Sequence, residues 1–273
     1  MGTLIVALTL IVITPPLAGI ALAAAALGVR DRPGGLYDRL QRSWATALMR
    51  AADVRVELHD AERVGGGEPR VFVSNHVSWF DVLALASRLP RYKFVAKSEL
   101  EKVPIFGAGA RAVGTVYIER ENRKSAFESY RIAAEKIRSG TPVVVYPEGT
   151  RGTSYALRPF KKGPFVLAIA AGVPVVPVVV YGTIGVIRRG SWWLRRGEPV
   201  HLHFLEPIPT AGLGYADRER LTQLVWTRMA TALRELYGVE SPAPSWHASS
   251  ETPTPAGASP PSASPASPEA GAA

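Results

Sequence analysis

From Thr3 to Val29 the chain runs 27 residues without a charge, and nearly all of them are apolar. Water does not tolerate such a stretch, so it must be buried in protein or in lipid. At 1.5 Å per residue a helix of this length reaches across a hydrocarbon core, and the segment reads as an uncleaved membrane anchor. Pro15-Pro16 falls at its middle, where two missing N–H donors predict a kink or a break. A kinked span and a shallow re-entrant hairpin both satisfy that pattern. Arg30, Arg32, Arg39 and Arg42 follow, whereas the N-terminal side carries only its amine. That asymmetry places the bulk of the chain on the cytoplasmic face of the cell membrane. A cleaved secretion signal is the rival reading. The alanines at 23–26 suit it, but the basic n-region of such signals is missing.

Leu36, Leu40, Trp44 and Leu48, with Tyr37, Ala45 and Met49 beside them, form one helical stripe, and Arg39, Arg42 and Arg50 lie off it. A helix at the membrane interface and a helix packed on a core share this pattern. Residues 1–52 therefore read as an anchor followed by an amphipathic helix. Beyond them, short apolar runs alternate with helical periodicity. Val54–Leu58, Val71–Ser74, Tyr92–Ala96, Val113–Ile118, Val143–Tyr146 and Val175–Tyr181 read as strands. Val200, Leu202 and Phe204 alternate with His201 and His203 in a last one. Helices are predicted from Asp81 to about Arg88, over Arg123–Ser139, up to Ala171 before Gly172, and over Ala216–Tyr237. The alternation predicts an α/β fold over 53–240: a largely parallel or mixed central sheet flanked by helices, with membrane-docking helices at the N-terminus. From Ser241 onward Pro, Ala and Ser dominate, so 241–273 cannot build a core and is expected to be disordered.

The net charge is +9. The last 33 residues hold two acids, Glu251 and Glu269, and no base, so the rest carries 32 bases against 21 acids, or +11. Such a surface suits phosphate, nucleic acid or anionic lipid. A nucleic-acid partner is not expected, since it leaves the anchor unexplained and no groove of aromatics and bases can be traced. The absence of cysteine excludes disulfides, thiolate nucleophiles and Cys-based zinc sites.

Asn75-His76-Val77-Ser78-Trp79-Phe80-Asp81 follows the Val71–Ser74 strand. Open α/β sheets place their chemistry where strands end, and Asn-His there presents an imidazole. Histidine is the side chain best suited to take and return a proton near neutral pH. Asp81 can hold one ring nitrogen only if His76 lies in the loop and Asp81 on the first turn of the next helix. On a single helix, five residues turn the side chains about 140° apart. Ser78-x-x-Asp81 also reads as a helix start, with Ser78 as N-cap.

Three further blocks accompany this one. Gly114-Thr115-Val116-Tyr117-Ile118-Glu119-Arg120 is a strand ending in an acid and a base. Tyr146-Pro147-Glu148-Gly149-Thr150-Arg151 opens from the end of a buried strand. Val173-Pro174-Val175-Val176-Pro177-Val178 is an apolar strand with two prolines. Together the four blocks, spanning roughly Val71 to Tyr181, resemble the 1-acylglycerol-3-phosphate (lysophosphatidate) acyltransferase family. Tyr117 stands for the usual Phe, Glu119 for the usual Asp, Tyr146 for a frequent Phe, and Gly152 for a Ser.

The resemblance implies a glycerolipid-acyltransferase-like fold at a phospholipid membrane. It implies acyl transfer from a thioester, acyl-CoA or acyl carrier protein, to the free hydroxyl of lysophosphatidate, giving phosphatidate. His76 would be the general base and Asp81 the group that orients it. Arg120 and Arg151, with Lys97 as a third cation, would bind the acceptor phosphate. Glu148, Gly149 and Thr150 would complete acceptor binding. The thioester is a co-substrate, and neither a cofactor nor a metal is expected. Direct transfer agrees with the absence of cysteine and of a G-x-S-x-G elbow. Ser78 is the rival nucleophile and is read as a cap. The blocks do not separate lysophosphatidate from another lyso-lipid or an acylated amino-acid lipid. A non-catalytic lipid-phosphate-binding membrane protein is the alternative of another class.

Three features fall outside the blocks. Gly107-Ala108-Gly109 lacks the G-x-G-x-x-G spacing and a preceding strand, which excludes a dinucleotide loop. Trp192-Trp193 with Arg195-Arg196 fits an interfacial patch or an exposed hairpin. His201 and His203 have the spacing of metal ligands, but no nearby acid or cysteine completes the set, so they are read as solvent-facing.

Overall fold

A computed structural model describes residues 2–65, 68–118 and 132–245. Among these the strands are β1 (Arg55–His59), β2 (Val71–Ser74), β3 (Lys93–Lys97), β4 (Val116–Ile118), β5 (Val143–Val145), β6 (Val175–Tyr181) and β7 (Pro199–Phe204). They form one sheet in the order β1-β7-β6-β2-β5-β3-β4. β7 runs antiparallel to β6, and the other described pairs are parallel. The sheet is therefore mixed and largely parallel, as the alternation predicts. β2, β5 and β6 are buried almost throughout and consist mainly of valine. That is the composition of strands covered on both faces. Their carboxyl ends open on one edge, so residues 74–76, 146–152 and 181–183 meet there.

The helices are α1 (Gly2–Ala26), α2 (Leu36–Ala51), α3 (Trp79–Arg88), α4 (Phe106–Ala112), α5 (residues 132–138), α6 (Gly163–Ala171), α7 (Thr183–Val186) and α8 (Arg218–Tyr237). One core joins α2 and α3 to the sheet through Leu48, Met49, Leu85, Phe72, Val178 and Phe204. α6 and α8 pack on β2 and β6 and bury Phe165, Leu167, Val225 and Met229. Truncating a core side chain such as Phe72 to alanine costs about 3–5 kcal/mol. The chain divides into two compact units, Met1–Pro242 and Ala243–Ala273. Of the second, only residues 243–245 are described. Most of the Pro/Ala/Ser-rich tail, and the predicted helix up to residue 131, lie outside the described residues.

α1 corrects the expectation at its prolines. It is one continuous helix with Pro15 and Pro16 inside it, so neither a break nor a re-entrant hairpin forms. The lost hydrogen bonds are local, and α1 packs on α2 and α4. Thr3 Oγ1 donates to the Trp192 carbonyl at 2.8 Å and accepts from Leu194 N–H at 3.0 Å. Farther along, Trp44 Nε1 donates to Thr14 Oγ1 at 3.0 Å. Gly109 of α4 faces Ala18 so closely that a Cβ there would collide with it. The glycine thus serves close helix packing. The outer side of α1, including Leu4, Leu8, Ile11 and Val12, is exposed and apolar.

The N-terminal helices are fastened to the start of β3 by charge. Arg91 Nη1 lies 3.3 Å from Asp31 and 3.2 Å from Asp38. Lys93 Nζ lies 3.1 Å from Asp31 and 3.5 Å from Asp38. Asp31 follows α1 and Asp38 belongs to α2. Removing one partner from such a buried network costs about 3–5 kcal/mol, because the other charge is left uncompensated.

Candidate active site

β2 ends at Ser74, and Asn75 locks the chain that follows. Its side-chain amide donates to the Val180 carbonyl at 2.9 Å and accepts from Val180 N–H at 2.8 Å. His76 therefore leaves the sheet with its backbone tied to β6. Three residues later Ser78 caps α3, and Asp81 closes the capping box from the N3 position. The helix-start reading and the dyad reading of Ser78 and Asp81 thus hold together. The box that starts the helix is also what aims the carboxylate.

Asp81 has no exposed surface and four donors. Its Oδ2 accepts from His76 Nδ1 at 2.9 Å, Val77 N–H at 2.7 Å and Ser78 N–H at 2.8 Å. Its Oδ1 accepts from Thr183 Oγ1 at 2.6 Å. A buried carboxylate needs such partners to stay charged. With Nδ1 donating to a carboxylate, the His76 proton is fixed on that nitrogen, and Nε2 carries the lone pair. Among the described residues no hydrogen bond engages Nε2, and 15% of the side chain is exposed. This is the arrangement a general base requires. Ser78 is buried, with its hydroxyl between Phe80 N–H and the Ile187 carbonyl, which fits a cap and not a nucleophile.

The neighbouring strand β5 brings the block at 146–151 against this loop. The Tyr146 ring stacks on His76 with centroids 4.1 Å apart. Its hydroxyl is buried, and burial followed by the Asp81 charge pushes its pKa well up. Glu148 is buried too, and its Oε1 accepts from His76 N–H at 2.9 Å. Burial pushes the Glu148 carboxyl up to about 7, against the lowering effect of the His76 and Arg158 backbone N–H groups. Gly149 adopts a left-handed φ of 77°, which turns the chain back, and Gly152 N–H then donates to the His76 carbonyl at 2.7 Å. The loop holding Thr150 and Arg151 is thereby bound to the loop holding His76.

The cations are placed unequally. Arg151 lies over the Trp79 ring, 4.8 Å from its centroid, and its carbonyl accepts from Arg189 Nη1 at 2.5 Å. Partial burial and the Arg189 charge lower its pKa, and Asp81 opposes them. Lys97 ends β3 on the same edge of the sheet, two strands from β2, and is exposed. Arg120, with Glu119, lies outside the described residues. Sequence reasoning missed Thr183, which holds Asp81 from 102 residues away, and gave no role to Asn75. No local pattern marks Thr183, because only the β6–α7 corner brings it to α3. The acid that the sequence does not show beside His201 comes from β1: Glu57 pairs in register with His201, and His59 with His203.

A model of the family described as Acyltransferase matches residues 55–181. The lyso-ornithine lipid O-acyltransferase of Pseudomonas aeruginosa is 34% identical over 75% of this chain and 85% of its own length. The chain belongs to the 1-acylglycerol-3-phosphate acyltransferase family. The chloroplastic 1-acyl-sn-glycerol-3-phosphate acyltransferase of Brassica napus is 35% identical over 51% of this chain, which spans 41% of that relative's length. A solved structure in the same family, the 1-acyl-sn-glycerophosphate acyltransferase of Thermotoga maritima, superposes with a TM-score of 0.74 at 27% identity. That superposition covers 88% of this chain and 97% of that one. The family fold, a central sheet flanked by helices, is thus the fold of this protein.

Proposed function

We propose that the protein transfers an acyl group from acyl-CoA or acyl carrier protein to the free hydroxyl of 1-acylglycerol-3-phosphate, giving phosphatidate. The observation that carries this is the His76–Asp81 pair, with Nδ1 bound and Nε2 open. His76 Nε2 takes the hydroxyl proton as the oxygen attacks the thioester carbonyl carbon. The tetrahedral intermediate collapses with cleavage of the C–S bond, and the proton on Nε2 passes to the departing thiolate. Asp81 holds Nδ1–H throughout and stabilises the imidazolium between the two transfers. Arg151 and Lys97 are the described cations that would bind the acceptor phosphate, with Arg120 added from the sequence alone, and Gly149 and Thr150 belong to the loop that receives the acceptor. Glu148 braces the His76 backbone and orders that loop.

The membrane supplies the acceptor. Both halves of α1 touch the same body, so its exposed apolar side is free to enter the lipid while the opposite side stays on α2 and α4. Trp192 and Trp193, 86% and 82% exposed, stand beside the start of α1 and suit the headgroup layer. The arginines after α1 favour the cytoplasmic leaflet. A protease-protection assay on closed vesicles should cut the catalytic unit only from the cytoplasmic side, and cutting only from outside would overturn that placement.

A second reading has its own support: the Pseudomonas aeruginosa relative, covered over 85% of its length, acts by its name on a lyso-ornithine lipid. One experiment separates the two. Membranes containing the protein are given labelled acyl-CoA or acyl carrier protein and a panel of lyso-acceptors. Product formed only with acceptors bearing a terminal phosphate supports the first reading. Product formed only with an amino-acid lyso-lipid establishes the second.

A further inference from the structure

On the other side of the molecule's antiparallel junction, β1 and β7 carry a second cluster of histidines that acyl transfer does not use. The parallel register sets Glu57 beside His201 and His59 beside His203. Side chains two apart on a strand share a face, so the four form a square on one surface of the sheet. His59 Nε2 lies 3.2 Å from His201 Nδ1, and Glu57 Oε2 lies 3.3 Å from the same Nδ1. The three atoms fall within 4.8 Å of one another. His201 Nδ1 thus has two polar neighbours, the Glu57 carboxylate and His59 Nε2, and the role of the latter depends on its tautomer. With a proton on Nδ1 and His59 Nε2 bare, the N–H is divided between two acceptors. With Nδ1 bare, its lone pair meets the carboxylate's.

A cation among the three atoms removes that conflict. We propose that Glu57, His59 and His201 form a binding site for a divalent transition metal, with Zn²⁺ as its expected occupant. Tetrahedral zinc with bonds of about 2.0–2.1 Å sets its donors about 3.3 Å apart, which matches both separations above. Two imidazoles and a carboxylate select zinc, nickel or copper over magnesium or calcium. His203 is not a fourth ligand. Its Nε2 is engaged by the Tyr237 hydroxyl at 2.6 Å, and its ring stacks on His59 at 4.1 Å, which fixes the orientation of that ligand. Solvent reaches the cluster through a cavity of about 480 Å³ lined by His201, Tyr181, Tyr155 and Trp193, so water completes the coordination. Bound there, the ion ties the edge strand β1 to β7 and stabilises the folded chain by mass action.

The test is calorimetric titration of the full-length, chelator-treated protein with Zn²⁺, with Co²⁺ absorption in parallel to report ligand geometry. One equivalent should bind, raise Tm, and give the visible band of tetrahedral Co²⁺. His59→Gln and His201→Ala should each weaken binding by more than the roughly 10–100-fold that loss of an outer-shell partner costs, and abolish the rise in Tm. Glu57→Gln should weaken it as well. His76→Ala should bind normally. Absence of binding to the wild type, retention in the His59→Gln protein, or loss on His76→Ala would overturn the proposal.

Discussion

His201 sits on the sheet and His76 in the loop just past its edge, and their surroundings differ in kind. His76 shares a proton with a carboxylate that has no exposed surface and four hydrogen-bond donors. His201 shares one with an exposed carboxylate and a second imidazole. Beside it, burial and then the charges of His59 and His201 push His203 down to about 4. A positive charge on His203 is thus disfavoured by its surroundings. An imidazole with one nitrogen fixed and the other open transfers protons, whereas lone pairs turned on one another recruit a metal.

The sharpest way to break that comparison is to delete each histidine in turn. His76→Ala should lower kcat by about 10³–10⁴-fold while acceptor binding persists, and His59→Ala should leave kcat within about twofold. Equal losses in a steady-state acyl-transfer assay would erase the distinction. Asp81→Asn should cost about 10³-fold, because an amide can leave His76 in the wrong tautomer.

Glu148, the second carboxylate at His76, gives the next effect, this time on stability. Its raised pKa means the folded state holds that proton more tightly than the unfolded chain does. Its contribution is full below about pH 4.5 and is lost as pH rises through about 7. At about 1.4 kcal/mol per unit, that is roughly 3 kcal/mol over the window. Urea unfolding from pH 4.5 to 8 should show this slope in the wild type and lack it in Glu148→Gln, which keeps an acceptor for His76 N–H. The smallest effect falls on Thr183→Val. Loss of one of four donors to Asp81 should lower kcat by about tenfold with KM unchanged. A change confined to KM would place Thr183 in substrate binding instead.

Much of the catalytic edge was legible because its signals are local. Ser78 and Asp81 stand three residues apart, the spacing of a capping box, and that box alone puts the carboxylate beside His76. β6 has the bounds read from its valines, Val175–Tyr181. β4 came out shorter than the apolar run from Val113. Gly114 takes a left-handed φ of 95°, and Thr115 N–H closes the end of α4 on the Ala110 carbonyl, so pairing begins at Val116. At the proline pair a helix continues where a break or a re-entrant hairpin was among the expectations. Propensity weighs a helix alone, whereas α1 packs on α2 and α4 and is tied at its start to Trp192 and Leu194.

By itself, then, the sequence determined the succession of strands along the chain, most of the helices though not α4 or α7, the family, and the imidazole–carboxylate pair. Each rests on contacts between residues close in the chain or on patterns of burial that repeat along it. Only the tertiary structure decided that Thr183 and Glu148 complete the surroundings of His76, and that Glu57 and His59 meet His201. Those contacts join segments 72 to 144 residues apart. The physical reason is that neighbours in a sheet are chosen by strand order and register, which the whole core sets and no short stretch of sequence encodes.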